Sequence, residues 1–231
     1  MRGDISSASV AKRHPLDWYV DETWCAEQLA VALDGFADDR AAGLAIWDPS
    51  CGYGNTVDAL MVRGFRCYLS DVVENVAWDR FNDPDHPEDG EVSFFSADFL
   101  ETTAAPAPCS IVCNPPYSYR KGIAEAFVRH ALKLATGRVC MLVAGKWLAP
   151  GVDKKRWSKR SRLFRIDHPP QLVLHFSTRP SMPPGDEIEA MGKRAFKGGV
   201  IDYCWIVWDV RRPTLPGETR TIWLPPLGEA S

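Results

Sequence analysis

No stretch of the 231-residue chain stays apolar for the roughly 20 residues a membrane-spanning helix needs. The first ten residues lack the apolar core of a secretion signal. A cytoplasmic protein with no membrane partner is therefore expected. Positive charge is not in excess: 27 Lys and Arg stand against 30 Asp and Glu, a formal charge of −3. Any grip on a nucleic acid must then come from a local patch. No Cys-x-x-Cys pair occurs. The seven cysteines stand singly at 25, 51, 67, 109, 113, 140 and 204, and Cys113, Cys140 and Cys204 lie inside apolar runs, where the thiol acts as a small hydrophobe. This usage argues against a disulfide scaffold and for a reducing compartment. The five histidines, at 14, 86, 130, 168 and 175, are equally scattered, so no metal is expected.

What is present is 45% hydrophobic residues, enough for a full core. Residues 1–14 read as a flexible N-terminus and 216–231 as a C-terminal tail. Between them, 15–215 reads as one domain with a basic insertion at 150–169 and a long loop at 178–199. Apolar runs predict strands at 44–48, 65–70, 92–96, 109–113, 139–144, 171–177 and 200–210. Helical spacing predicts helices at 22–37, with Asp21 as N-cap, from Thr56 to a stop at Gly64, at 73–80, and beyond Tyr117 with Ile123, Phe127, His130, Ala131 and Leu134 on one face. Residues 82–90 read as a loop. Strands alternating with helices imply crossover connections and a mostly parallel sheet. Ligands of such sheets bind beyond the carboxyl ends of the strands. Asp48 to Gly54, Asp71, Asp98 and Asn114 to Tyr117 all fall there.

The first of these groups, Asp48-Pro49-Ser50-Cys51-Gly52-Tyr53-Gly54, is a glycine turn directly behind a strand. It is not a dinucleotide fingerprint, because Val57 stands where a third glycine would be needed, and it has no Gly-Lys-Ser/Thr. Gly52 and Gly54 allow unusual backbone angles and close approach of a ligand. Asp71 follows Gly52 by 19 residues, at the end of the next predicted strand. That is the placement of an acid that holds ribose hydroxyls.

The last group, Asn114-Pro115-Pro116-Tyr117, has a fixed backbone and two missing donors. Asn114 offers an acceptor and two donors, the Pro115 carbonyl can point outward, and Tyr117 offers a flat face. An amine on a planar ring needs two acceptors and a surface to stack on; this tetrapeptide can supply all three.

Together, Asp48-Pro-Ser-Cys-Gly-Tyr-Gly, Asp71, Ala97-Asp98-Phe99 and Asn114-Pro-Pro-Tyr resemble the amino-methyltransferases that use S-adenosylmethionine (SAM). The order is most similar to that of N6-adenine DNA methyltransferases, and Phe176-Ser-Thr-Arg-Pro-Ser with Asp202-Tyr-Cys-Trp-Ile-Val-Trp-Asp resembles the small enzymes of phages and prophages. The resemblance spans about 17–210. It implies a class I SAM-methyltransferase (Rossmann-like) fold: a mostly parallel seven-stranded sheet with an antiparallel last strand and helices on both faces. It also implies SAM as cofactor. Asp48, Pro49, Ser50, Cys51, Gly52 and Gly54 would form its turn, with the two glycines near the methionine part. Asp71 would bind the ribose, Asp98 the adenine amine and Phe99 the adenine ring. Tyr19 and Thr23 would belong to a segment closing over the cofactor. Asn114 and the Pro115 carbonyl, braced by Pro116, would hold the target amine, and Tyr117 would stack on an extruded base.

Residues 153–165 carry seven basic residues with Trp157 and Phe164 among them. Lys154, Lys155, Arg156, Lys159, Arg160 and Arg162 are the candidates for phosphate contact, against the plainer reading of a solvated helix face. The partner expected is DNA, with RNA open, and no large recognition domain follows. Alternatives are methylation of RNA adenine, of cytosine N4 or of a protein glutamine, or a catalytically silent nucleic-acid-binding module. Trp147, Phe176, Trp205 and Trp208 read as core, His130 as a satisfied core histidine, Cys51 as packing rather than nucleophile, and Asp98 taken alone as a helix cap.

Overall fold

In the computed structural model, which describes residues 16–73, 92–117, 119–149 and 158–226, the central strands are buried on both faces. Strands β1 (Ala45–Asp48), β4 (Cys109–Cys113) and β5 (Arg138–Ala144) have no exposed position. Such near-continuous apolar runs belong to a parallel sheet covered on both sides. With β2 (Cys67–Asp71), β3 (Val92–Ser96), β6 (Leu172–His175), β7 (Tyr203–Asp209) and β8 (Arg220–Trp223), they form one sheet in the order β3-β2-β1-β4-β5-β7-β6-β8. Only β7 runs against its neighbours, β5 and β6; β8 pairs parallel to β6. The antiparallel strand is thus the seventh, as expected, and an eighth lies in the region read as tail.

Side chains alternate between two cores, as the period of a strand requires. On one face Ile46, Cys140 and Leu142 pack under α1 (Thr23–Ala32) and α3 (Asn55–Met61). On the other, Trp47, Met141 and Val143 pack with Phe99 under α4 (Ile123–Leu134). α1 is shorter than its pattern predicts. Asp34, Gly35 and Phe36 take positive φ, which ends the helix before α2 (Ala37–Ala41). The predicted helix 73–80 and loop 82–90 fall almost wholly outside the described residues. Two short helices, α5 (Lys159–Arg162) and α6 (Ile188–Met191), lie in the basic region and the long loop. All seven cysteines are free and buried. Burial pushes their thiols up, that of Cys67 to about 12, so they act as hydrophobes.

At the amino end of the parallel strands, acids and bases interlock. Buried Asp39 pairs with Arg138, accepts from the Ser110 hydroxyl at 2.9 Å and pairs with Arg211 at 3.0 Å. Arg211 also pairs with Asp209 at 3.0 Å, and Arg212 with Asp38. Burial alone would raise the Asp209 carboxyl, but hydrogen bonds and charge from Arg211, with the charge of Arg138, hold it below its ordinary value. The hydrogen bond and charge of Arg212 hold Asp38 low as well.

Candidate active site

The opposite end of the sheet is a cleft of about 850 Å³, counted to its open mouth. Its floor is the turn after β1. Gly52 sits at φ +48, and a Cβ there would lie 3.1 Å from Trp18 Nε1, so both the turn and the close approach demand glycine. The Gly52 amide donates to Asp71 Oδ2 at 2.9 Å, and the Val73 amide to Oδ1 at 3.2 Å. The spacing of 19 residues that marked Asp71 in the sequence thus becomes a direct bond across the two strand ends. The Ser50 hydroxyl donates to the Asn114 carbonyl at 3.1 Å, tying the glycine turn to the Asn-Pro-Pro-Tyr loop after β4.

Segment 16–22 lies across the cleft. Trp18 stacks on Tyr53, with ring centroids 5.7 Å apart, and its indole presses on Gly185, where a Cβ would come within 2.2 Å of the ring. Backbone bonds from Val20 to the Pro183 carbonyl (3.0 Å) and from Gly185 to the Trp18 carbonyl (3.1 Å) fasten the segment to the long loop. Asp17 Oδ2 accepts from the amides of Tyr117 (3.1 Å) and Tyr119 (2.8 Å). One short segment therefore touches the floor, the Asn-Pro-Pro-Tyr loop and the long loop.

At this end Asp21 and Asp48 are buried and Asp71 is half-buried, with no cation paired to them among the described residues. Burial raises Asp48 well above its ordinary value, the Ser50 amide opposes, and the charges of Asp21 and Asp71 add to the rise. Burial also raises Asp21, against a hydrogen bond from Thr56 (2.7 Å), and Asp71, against backbone amides. Among the described residues, none of the three forms an ion pair. Asp21 is not the cap of α1; Glu22 occupies that position and makes no side-chain cap.

Of the residues singled out in the sequence, Tyr19, Asp48, Pro49, Ser50, Cys51, Gly52, Asp71, Asp98, Phe99, Asn114 and Pro116 line the cleft. Thr23 opens α1 and does not line it, Gly54 precedes α3, and Pro115 is buried. Asp98 Oδ1 caps a short turn through the Leu100 amide (2.9 Å), the plainer of its two readings, and the residue also lines the cleft. Tyr117 turns its hydroxyl inward, 2.5 Å from the Leu142 carbonyl and 3.1 Å from the Asn114 side-chain amide; burial raises its pKa far above normal. Only its ring remains to meet a ligand. The Asn114 amide also touches Met182 Sδ at 3.8 Å.

Sequence reasoning missed Trp18, Tyr53, Asn55 and Tyr119, which also line the cleft. Trp18 and Tyr53 were within reach, since they flank residues that were chosen. Lys154, Lys155 and Arg156 lie outside the described residues; Lys159, Arg160 and Arg162 form α5. Trp147 and Trp205 are buried, Trp208 is 3% exposed, and His130 bonds the Thr102 carbonyl at 2.8 Å. Among the described residues no group of histidines, cysteines and carboxylates could hold a metal, and no helix is long and apolar enough to cross a membrane.

No family model matches the chain, and no curated protein does. Solved structures do. A predicted O-methyltransferase, protein Atu636 from Agrobacterium tumefaciens, is 16% identical with a TM-score of 0.53, the match covering 89% of this chain and 86% of that one. The ATP-dependent Type ISP restriction-modification enzyme LlaBIII bound to DNA is 10% identical with a TM-score of 0.55; the match covers 89% of this chain but 20% of that much longer one. The likeness is one of fold: this chain has the class I SAM-methyltransferase architecture.

Proposed function

We propose that this protein transfers the methyl group of SAM to the N6 amine of adenine in DNA. The observation that carries the reading is that one cleft is lined by both halves of the required chemistry: the Asp48–Gly52 turn with Asp71, Asp98 and Phe99, and the loop residues Asn114 and Pro116. The likeness to part of a DNA-bound restriction-modification enzyme supports a polynucleotide substrate.

The residues present suit the cofactor. SAM carries a sulfonium and an ammonium, a ribose diol and a planar aminopurine. Carboxyls with no cation among the described residues favour a cationic ligand; Asp71 would accept from the diol, and Asp98 and Phe99 would meet the purine. When bound, SAM supplies an electrophilic methyl group on positively charged sulfur.

The rest falls to the chain. Tyr117 has one phenolic proton, and the Leu142 carbonyl, at 2.5 Å, can only accept it. The hydroxyl also faces Asn114 Oδ1 at 3.1 Å, while the Asn114 NH2 faces Met182 Sδ at 3.8 Å. Asn114 Oδ1, with its second lone pair, is the acceptor proposed for the target amine. An amine held by two acceptors, the roles that the resemblance gives to Asn114 and to the carbonyl of the buried Pro115, is drawn toward tetrahedral nitrogen and its lone pair is localised. Positioning and oriented dipoles then supply most of the rate. In a duplex the base must first leave the stack, at a cost of a few kcal/mol.

The test is to supply methyl-labelled SAM with duplex DNA, single-stranded DNA, RNA and protein, then digest and identify the labelled species. N6-methyladenine from DNA is expected. Label in RNA, in cytosine N4 or in glutamine would redirect the reading to that acceptor. Label in none would overturn it.

A further inference from the structure

The Asn-Pro-Pro-Tyr loop is a wall between two hollows. Asn114 and Pro116 face the cleft already described. Tyr117 faces a second one, of about 760 Å³ counted in the same way to its open mouth, lined also by Gly122, Glu125, Lys146, Trp147 and Arg160. This hollow lies between the start of α4, the end of β5 and the short helix α5, and of its lining the methyl-transfer scheme uses only Tyr117.

Its charges are unbalanced. The guanidinium carbon of Arg160 sits 5.0 Å from the centre of the Trp147 ring. Its Nε is buried and makes no hydrogen bond among the described residues. Among the described residues no carboxylate pairs with Arg160 or with Lys146. Their neighbours differ: Arg129 pairs with Glu125 and with Asp167, both at 2.9 Å, and Arg162 with Asp167 at 3.5 Å. Glu125, the one acid among the described residues lining the hollow, is paired with Arg129. The surplus is positive; burial lowers the pKa of Arg160, and the charge of Glu125 opposes this only in part. Withdrawing a guanidinium from water with only a shared counter-charge is costly, so this arrangement favours an anion from outside. A planar guanidinium held against an indole is oriented to meet phosphate oxygens two at a time.

We propose that this second cleft holds a backbone phosphate of the substrate strand, on Arg160 and Lys146, beside the nucleotide whose base meets the Asn-Pro-Pro-Tyr loop. The inference rests on the nucleic-acid reading above and gives it a fixed point of contact. Trp147 serves as the platform for Arg160, and Tyr117 forms the wall shared by base and phosphate.

The experiment measures oligonucleotide affinity against salt for wild type, Arg160→Gln, Lys146→Gln, Arg160→Lys and Arg162→Gln, with SAM affinity by calorimetry as the check on folding. Arg160→Gln is expected to lose about tenfold in affinity for every sequence tried, and to flatten the slope of log K on log salt by about 0.7–0.9. Lys146→Gln should flatten it similarly. Arg160→Lys should keep the slope, and Arg162→Gln, whose charge already leans on Asp167, should change less. SAM affinity should hold in all four. If the wild type methylates nucleic acid but Arg160→Gln keeps the wild-type slope, the phosphate site is wrong and the methyltransferase reading stands. If the wild type methylates only protein, or nothing, that reading fails and the phosphate site with it. A mononucleotide that binds wild type but not Arg160→Gln, without competing with the strand, would mark a free-nucleotide site and overturn the strand assignment.

Discussion

The two ends of the sheet bury the same side chain under opposite terms. At the amino end Asp39 and Asp209 sit against Arg138 and Arg211, and Asp209 is held acidic. At the carboxyl end buried Asp21 and Asp48 and half-buried Asp71 have no cation among the described residues, and their carboxyls are held above the ordinary value. One end matches its acids with cations; the other, among the described residues, does not. Buried acids left unpaired are a cost to the empty chain, and unmatched groups of this kind gather where a ligand completes them.

The sharpest way to break this contrast is Arg138→Ala. It leaves Asp39 buried without its main cation and should cost about 3–5 kcal/mol in urea unfolding. A small loss would show that the amino end is not a structural clamp. Next is Asn114→Ala, which should lower methyl transfer by about 10²–10³-fold while unfolding and SAM binding stay near wild type. Full activity would remove Asn114 from the chemistry. Asp71→Asn should weaken SAM by about tenfold or more without destabilising the empty protein, the reverse of Arg138→Ala; titration calorimetry and urea melts on one preparation separate the two.

The ends should also answer pH with opposite sign. A carboxyl raised in the folded chain keeps its proton where the unfolded chain has released it. The unfolded state then binds fewer protons, and stability falls as pH rises from about 4 through the raised value. Asp48 and its neighbours contribute that slope. Asp209, held low, contributes stability that is present above the ordinary carboxylate range and lost as pH falls through its lowered value. Urea midpoints between pH 4 and 7 should show a shallower decline in Asp48→Asn than in wild type; equal slopes would sink the assignment. The smallest effect belongs to Arg212→Gln. Its partner Asp38 is exposed, and such pairs contribute little, so the midpoint should scarcely move.

The sequence displayed one end far better than the other. The carboxyl end is written in short local strings, and β3 and β4 fall at the predicted positions because their apolar runs are bounded by turn residues. The amino-end clamp joins residues 39, 110, 138, 209 and 211, and no local pattern records partners about 100 residues apart. β8 was hidden for a related reason. Arg-Thr-Ile-Trp is too short and too polar to declare itself, and it becomes a strand only because β6 offers an edge. Asp21 was read as a cap because local chemistry favours it, yet Thr56, 35 residues on, claims its side chain. Tyr117 was expected to present its ring to a base; its inward hydroxyl depended on the Leu142 carbonyl, which only the fold brings near.

β5 joins these two worlds. It starts at Arg138 in the clamp and ends at Ala144 beside the second cleft, six residue steps or about 20 Å away. Over such a span, free-energy changes add rather than interact. Substitutions at one rim can therefore alter its chemistry while the other keeps the chain foldable.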